Sequence, residues 1–234
     1  MHRKLFISMA VAVVAAAAQA PAAIFAPVAS GAVIPLYSNP LTSAAERGQI
    51  ANGAGRECKR SGTRVAMRLQ VGTGTTACAL MPPVVGRDLD VSVTGRLLSG
   101  TPAKLRARAY LSAALRVGEG GNLHVRVFPV QKKLQVVKER PDGEPRYLEV
   151  VKRHDAIQGV NKANRIYLRA VNAGPRGNCR IVVRVNGKRL AVLDDRRCAE
   201  LPGRDVAFGV GSPQGGAGVV GSFAKLRIAM PSPF

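Results

Sequence analysis

The 234-residue chain contains no tryptophan and few aromatic residues, four Tyr and six Phe. Its core must therefore be filled by Val, Leu, Ile and Ala, and few flat side chains remain to stack on a sugar or a base. Acids are scarce as well, 14 against 35 Lys and Arg, which leaves few carboxylates to pair for acid–base work. Histidine is limited to His2, His124 and His154, with no G-x-S-x-G beside any of them, which argues against a nucleophile triad. No C-x2-C spacing supports zinc. The glycine-rich stretch at residues 212–218 lacks the lysine and the following helix of a phosphate-binding loop. After residue 32 no apolar run approaches the ~20 residues that a membrane span needs. These absences predict a protein without catalytic machinery, cofactor, metal or membrane span.

What is present begins with a leader. His2, Arg3 and Lys4 precede an apolar stretch from Leu5 to Ala18, followed by small residues at Ala18, Ala20 and Ala22. Residues 1–32 read as a secretory signal peptide, cleaved somewhere between 20 and 32, so the mature protein is expected outside the cell or in the cell envelope. The formal charge is +21, and removing Arg3 and Lys4 leaves +19, because no acid lies in the first 32 residues. Such a balance suits polyanionic partners, and it equally suits simple solubility. An exported chain with four cysteines predicts two disulfides. Three pairings are open, and the similar local spacings favour Cys58–Cys78 and Cys179–Cys198. Each would contribute about 3 kcal/mol by loop-closure entropy.

The remaining sequence reads as strands joined by turns. Asn186-Gly187 between apolar runs marks a type I′ hairpin, placing Val183 opposite Leu190, Ile181 opposite Val192 and Arg184 opposite Arg189. Residues 63–69 and 75–80 read as a second hairpin through Gly72-Thr73-Gly74. Residues 88–98 alternate, with Leu89, Val91 and Val93 on one face. Residues 103–117 also alternate over nearly their whole length, which predicts strand despite good helix formers. Residues 33–57, rich in Pro, Ser, Asn and Gly, read as an N-terminal arm with one short strand near 33–37, leaving 58–234 as one domain. Ten or so strands without a sustained helix predict an all-β, two-sheet antiparallel sandwich.

Four segments resemble the closing half of concanavalin A-like (laminin-G-like) jelly rolls: Asn164 to Ala170, the hairpin around Asn186-Gly187, Val206 to Gly211, and Gly221 to Ile228. Asp88 to Val93 resembles the strand that opens the body of such domains. The resemblance covers roughly residues 60 to 230 and implies the fold more than an activity. Members of that superfamily include glycoside hydrolases with an acidic strand, which this chain lacks. Asp88 and Asp90 are the only pair that could stand in for it, and solvated strand residues are the plainer reading. Asp194-Asp195 could contribute to a calcium site, as in some relatives, but Arg196 and Arg197 beside them oppose a hard cation.

The surface that stands out is a basic strand face carrying Lys104, Arg106, Arg108, Tyr110, Arg116, His124 and Arg126. Guanidinium forks suit carboxylate, sulfate and phosphate oxygens, and a solvated face made soluble by arginine has the same composition. The expected function is non-enzymatic binding of an extracellular or envelope glycan, an anionic one held by this basic face, with neutral polysaccharide as the other possible partner. A polysaccharide-degrading enzyme or a structural envelope protein is the alternative. Nucleic acid fits poorly, because only Tyr110 offers stacking on that face.

Overall fold

The computed structural model describes residues 33–53, 58–173 and 177–231. The leader and its cleavage region lie outside the described residues. Among the described residues, fifteen strands run in chain order. They are β1 (Val33–Asn39), β2 (Ala51–Asn52), β3 (Lys59–Thr63), β4 (Ala66–Gln70), β5 (Ala77–Met81), β6 (Leu89–Leu97), β7 (Tyr110–Gly118) and β8 (Gly121–Phe128). There follow β9 (Lys133–Glu139), β10 (Pro145–Val151), β11 (Asn164–Asn172), β12 (Cys179–Val185), β13 (Lys188–Asp195), β14 (Asp205–Gly211) and β15 (Val220–Pro231). Two antiparallel sheets result. The eight-stranded sheet runs β13-β12-β11-β6-β15-β4-β3, with β1 added beside β15, and the seven-stranded sheet runs β10-β9-β8-β7-β14-β5-β2.

Period-two alternation turns one face of each sheet inward. Leu89, Val91 and Val93 of β6, Ile166, Leu168 and Ala170 of β11, and Leu123, Val125 and Val127 of β8 are all buried in one core. Phe208 of β14 meets Phe223 of β15 edge to face across the two sheets, with centroids 5.3 Å apart. That contact supplies at the centre what tryptophan would otherwise provide. Both disulfides form as the spacing predicts, Cys58–Cys78 and Cys179–Cys198. The first ties the approach to β3 in one sheet to β5 in the other.

Four local expectations need correction. The segments 63–69 and 75–80 do not pair, because β4 and β5 lie in opposite sheets. Val71 instead bonds to Gly218 and Val219, and the chain then crosses between the layers. Both segments point Met67, Leu69, Cys78 and Leu80 at the same core, so their alternation could not say from which side. Residues 103–106 form a short helix rather than a strand, begun by Pro102 at φ −53° and closed by the Ala109 amide on the Leu105 carbonyl. Proline presets the helical φ and overrides the alternation there. In the Asn186-Gly187 hairpin both turn residues have positive φ and Arg184 does face Arg189, but a bulge shifts the rest. Val183 therefore faces Ala191 and Ile181 faces Leu193, which leaves Val192 exposed. Finally, residues 33–53 are built into the sandwich: β1 pairs with β15 and β2 with β5.

Candidate functional site

The seven expected binding residues do not share one face. Lys104 sits on the short helix at a loop rim, lining a cavity of ≈ 450 Å³ with Thr75, Thr76, Gly215 and Gly216. Arg106 is tied to the carbonyls of Ser99 and Thr101 at 2.7 and 2.9 Å, and Arg108 to the side chain of Gln214. Arg116 is 1 % exposed and turned into the end of the sandwich. A positive φ of 57° at a bulge in β7 swings it away from its strand neighbours. There it donates to the Cys198 carbonyl at 3.2 Å, to Asn172 Oδ1 at 2.9 Å and to Asp88 Oδ1 at 3.2 Å. Only Tyr110, His124 and Arg126 come together.

They meet on the outer face of the seven-stranded sheet. In β8 the two-residue period puts Asn122, His124, Arg126 and Phe128 on that side. Tyr110 of β7 and Lys133 and Glu139 of β9 join them, the register placing Glu139 directly opposite Asn122. Gly121 makes this approach possible: its φ is +100°, and a Cβ there would collide with the Glu139 carbonyl. The apolar side of the group is Tyr110 against Phe128, edge to face at 5.6 Å. The Arg126 guanidinium lies 5.1 Å over the Tyr110 ring, and Lys133 Nζ lies 4.3 Å over Phe128.

The polar side is a chain of hydrogen bonds. Glu139 Oε1 is bonded by Arg126, and Glu139 Oε2 accepts from Asn122 Nδ2 at 3.0 Å. That second bond fixes which way the Asn122 amide points, so its Oδ1 faces His124 Nδ1 at 2.6 Å. An amide oxygen only accepts, so the proton sits on Nδ1 and the Nε2 lone pair is left bare. Among the described residues, neither His124 Nε2 nor Arg126 Nε has a hydrogen-bond partner, although both are buried. One acceptor and one donor therefore stand uncommitted, side by side with two aromatic rings. Sequence reasoning missed Asn122 and Glu139. The first was legible as the i−2 neighbour of His124, whereas the second needed the β8–β9 register.

No protein-family model matches the chain, and no curated protein matches its sequence. Its structure is similar to those of known proteins. One is a Bacillus subtilis protein of unknown function with a galectin-like fold, at TM-score 0.60 and 11 % identity over 86 % of this chain and 98 % of that one. The carbohydrate-binding module CBM66 from Bacillus subtilis follows at TM-score 0.54 and 10 % identity, over 77 % and 95 % of the two chains. Bacillus licheniformis β-glucanase gives TM-score 0.54 and 12 % identity, over 83 % and 97 %. The fold is a concanavalin A-like jelly roll.

Within this jelly roll the other candidate carboxylates serve the framework. Asp90 is buried in the eight-stranded sheet, where it accepts Nε and Nη2 of Arg169 at 2.7 and 2.8 Å and the Tyr167 hydroxyl at 2.9 Å. Burial and the Asp90 charge push the Tyr167 hydroxyl up to about 12. Asp88 accepts from Arg116 and from the Asn172 amide. Asp195 is paired with Lys138, while Asp194 is exposed and 3.9 Å from Arg180. Among the described residues no group of three or more His, Cys, Asp or Glu could hold a metal ion, and no helix is long and apolar enough to cross a membrane.

His124 carries a pH signature. Burial, with Arg126 beside it, pushes the imidazole down from 6.5 to about 3. The folded protein keeps His124 neutral where the unfolded chain would protonate it. This contribution to stability is complete above about pH 6.5 and is lost as pH falls toward 3. At about 1.4 kcal/mol per pH unit the loss amounts to a few kcal/mol. We expect His124→Gln to flatten the urea-derived stability profile between pH 7 and 4.5 relative to wild type. Parallel profiles for the two proteins would show that His124 is free to protonate in the fold.

Proposed function

We propose that this is a secreted, non-enzymatic glycan-binding domain whose site is the outer face of the seven-stranded sheet around Asn122, His124, Arg126 and Glu139. The observation that carries the reading is the uncommitted pair there, His124 Nε2 as acceptor and Arg126 Nε as donor, beside Tyr110 and Phe128. A sugar ring offers the complement: vicinal hydroxyls that donate and accept, and an apolar face of C–H groups. Ligand sites in general bind through apolar area and orient the ligand through a few fixed polar groups. Desolvated donors and acceptors left unpaired in the free protein gain most when a ligand satisfies them. The structural likeness to a carbohydrate-binding module supports the same reading.

Charge acts at longer range. Glu139 already neutralises Arg126, so the site itself is not a strong anion trap. The +19 of the mature chain instead favours approach to polyanionic matrices, which salt screens. The two disulfides are consistent with an extracellular setting. Glycoside hydrolysis calls for two carboxyl groups flanking the bond. The network described here holds one, Glu139, and it is already paired.

Binding of the oxidised mature protein to a panel of neutral and acidic polysaccharides across a salt series tests this. We expect at least one ligand whose affinity survives high salt and falls more than about tenfold in Arg126→Ala. Equal affinity of wild type and variant for every glycan, or release of shorter sugars from a bound glycan, overturns the reading.

A further inference from the structure

At one end of the sandwich a lysine is buried between the sheets. Lys138 of β9 is 1 % exposed and makes three contacts through Nζ: Asp195 Oδ2 of β13 at 3.1 Å, Glu200 Oε2 at 3.2 Å, and the Arg197 carbonyl. The glycan site uses none of these groups. β9 belongs to the seven-stranded sheet and β13 to the eight-stranded one, so the Lys138–Asp195 contact bridges the two layers.

We propose that Lys138 and Asp195 join through an isopeptide bond, with Glu200 moving the protons. Each part of the reaction has a group in place. Glu200 takes a proton from the Lys138 ammonium and hands it to Asp195 Oδ2, leaving a neutral amine beside a neutral carboxylic acid, and the remaining hydrogen bond to the Arg197 carbonyl helps aim the nitrogen lone pair. The nitrogen attacks Asp195 Cγ. Negative charge gathers on Oδ1, which already accepts the Arg197 backbone N–H at 3.1 Å, the arrangement that stabilises a tetrahedral oxyanion. Glu200 then moves a second proton from the nitrogen to Oδ2, the C–Oδ2 bond breaks as the C=O bond to Oδ1 reforms, and one water leaves. An ammonium and a carboxylate thus become a neutral amide and one water, with no oxidant or co-reactant.

Burial and proximity favour the step. Fixed neighbours reach effective molarities of about 10⁵ M or more, far above those of free amine and acid in solution. Condensation also removes two ions from a dry site, where Asp195 has 4 % of its side chain exposed. Glu200, with 48 % of its side chain exposed, and a cavity of ≈ 350 Å³ lined by Lys138, Arg140, Glu200 and Leu201 give the water a way out.

Intact mass spectrometry of the purified full chain, followed by reduction and trypsin digestion, decides the matter. We expect the wild type to be lighter by one water than its disulfide-bonded sequence, with the peptides holding Lys138 and Asp195 still joined after reduction. Glu200→Gln, which keeps the volume of a half-exposed side chain, should fold with native circular dichroism and show the full mass. Asp195→Ala is the second control and should also show it. A full-mass wild type overturns the proposal. So does a one-water deficit without joined peptides, which would place a succinimide at Asp142-Gly143. Joined peptides in Glu200→Gln would overturn the role given to Glu200. None of these outcomes bears on glycan binding, which rests on the opposite face of β9.

Discussion

Asp90→Ala is expected to destabilise the fold by about 3 kcal/mol. The carboxylate holds Arg169 through two hydrogen bonds and Tyr167 through a third, all on the eight-stranded sheet. Truncation strands a guanidinium and a hydroxyl that water reaches poorly. The estimate sits at the low end for a broken buried pair because a fifth of the Arg169 side chain is exposed. Urea unfolding should show a lower midpoint with an unchanged slope. The Tyr167 phenol, pushed up to about 12 partly by Asp90, should titrate lower in the variant. Glycan affinity of the folded variant should equal that of wild type, because the proposed site lies on the other sheet. If affinity fell while the fold held, Asp90 would belong to a binding or catalytic site after all.

The second large effect is on binding. Glu139→Ala should weaken glycan affinity by about 2 kcal/mol or more, some thirtyfold, although Glu139 need not touch the sugar. Its two oxygens hold Arg126 and the Asn122 amide, and Asn122 in turn sets the His124 tautomer. Without the carboxylate Arg126 is no longer anchored, and Asn122 can rotate its amide group toward His124 as a donor. The nitrogen chemical shifts of His124 report this directly, since the Nδ1-protonated form should give way to a mixture. Glu139→Gln keeps one acceptor oxygen and should recover part of both effects. Wild-type affinity in Glu139→Ala would show that the network does not shape the site.

Period two, turn chemistry and cysteine spacing are local, and these were legible. Asn186-Gly187 adopts the positive φ values that its turn type demands. Leu123, Val125 and Val127 are all inside. Alternation says which residues share a face but not which sheet the strand joins, so β4 and β5 read as partners although a core separates them. A single bulge residue in β13 displaced the facing pairs beyond Arg184. The candidate site suffered most, because its seven residues came from one face inferred by alternation along two neighbouring segments, 103–117 and 122–129. Pro102 converts the first turn of the earlier segment to helix, and Arg116 swings inward at a bulge.

Taken alone, the sequence determined an all-β sandwich, most of its inward faces and the Asn186-Gly187 turn, because each depends on residues a few positions apart, and it favoured the two local disulfides, whose partners are 20 and 19 residues apart. Only the tertiary structure decided which side chains meet. Glu139 joins Asn122 and Arg126 because β8 and β9 pair in one register, and Lys138 meets Asp195 because two sheets close at one end. Both meetings are set by long-range pairing, where a one-residue slip sends every side chain to the other face.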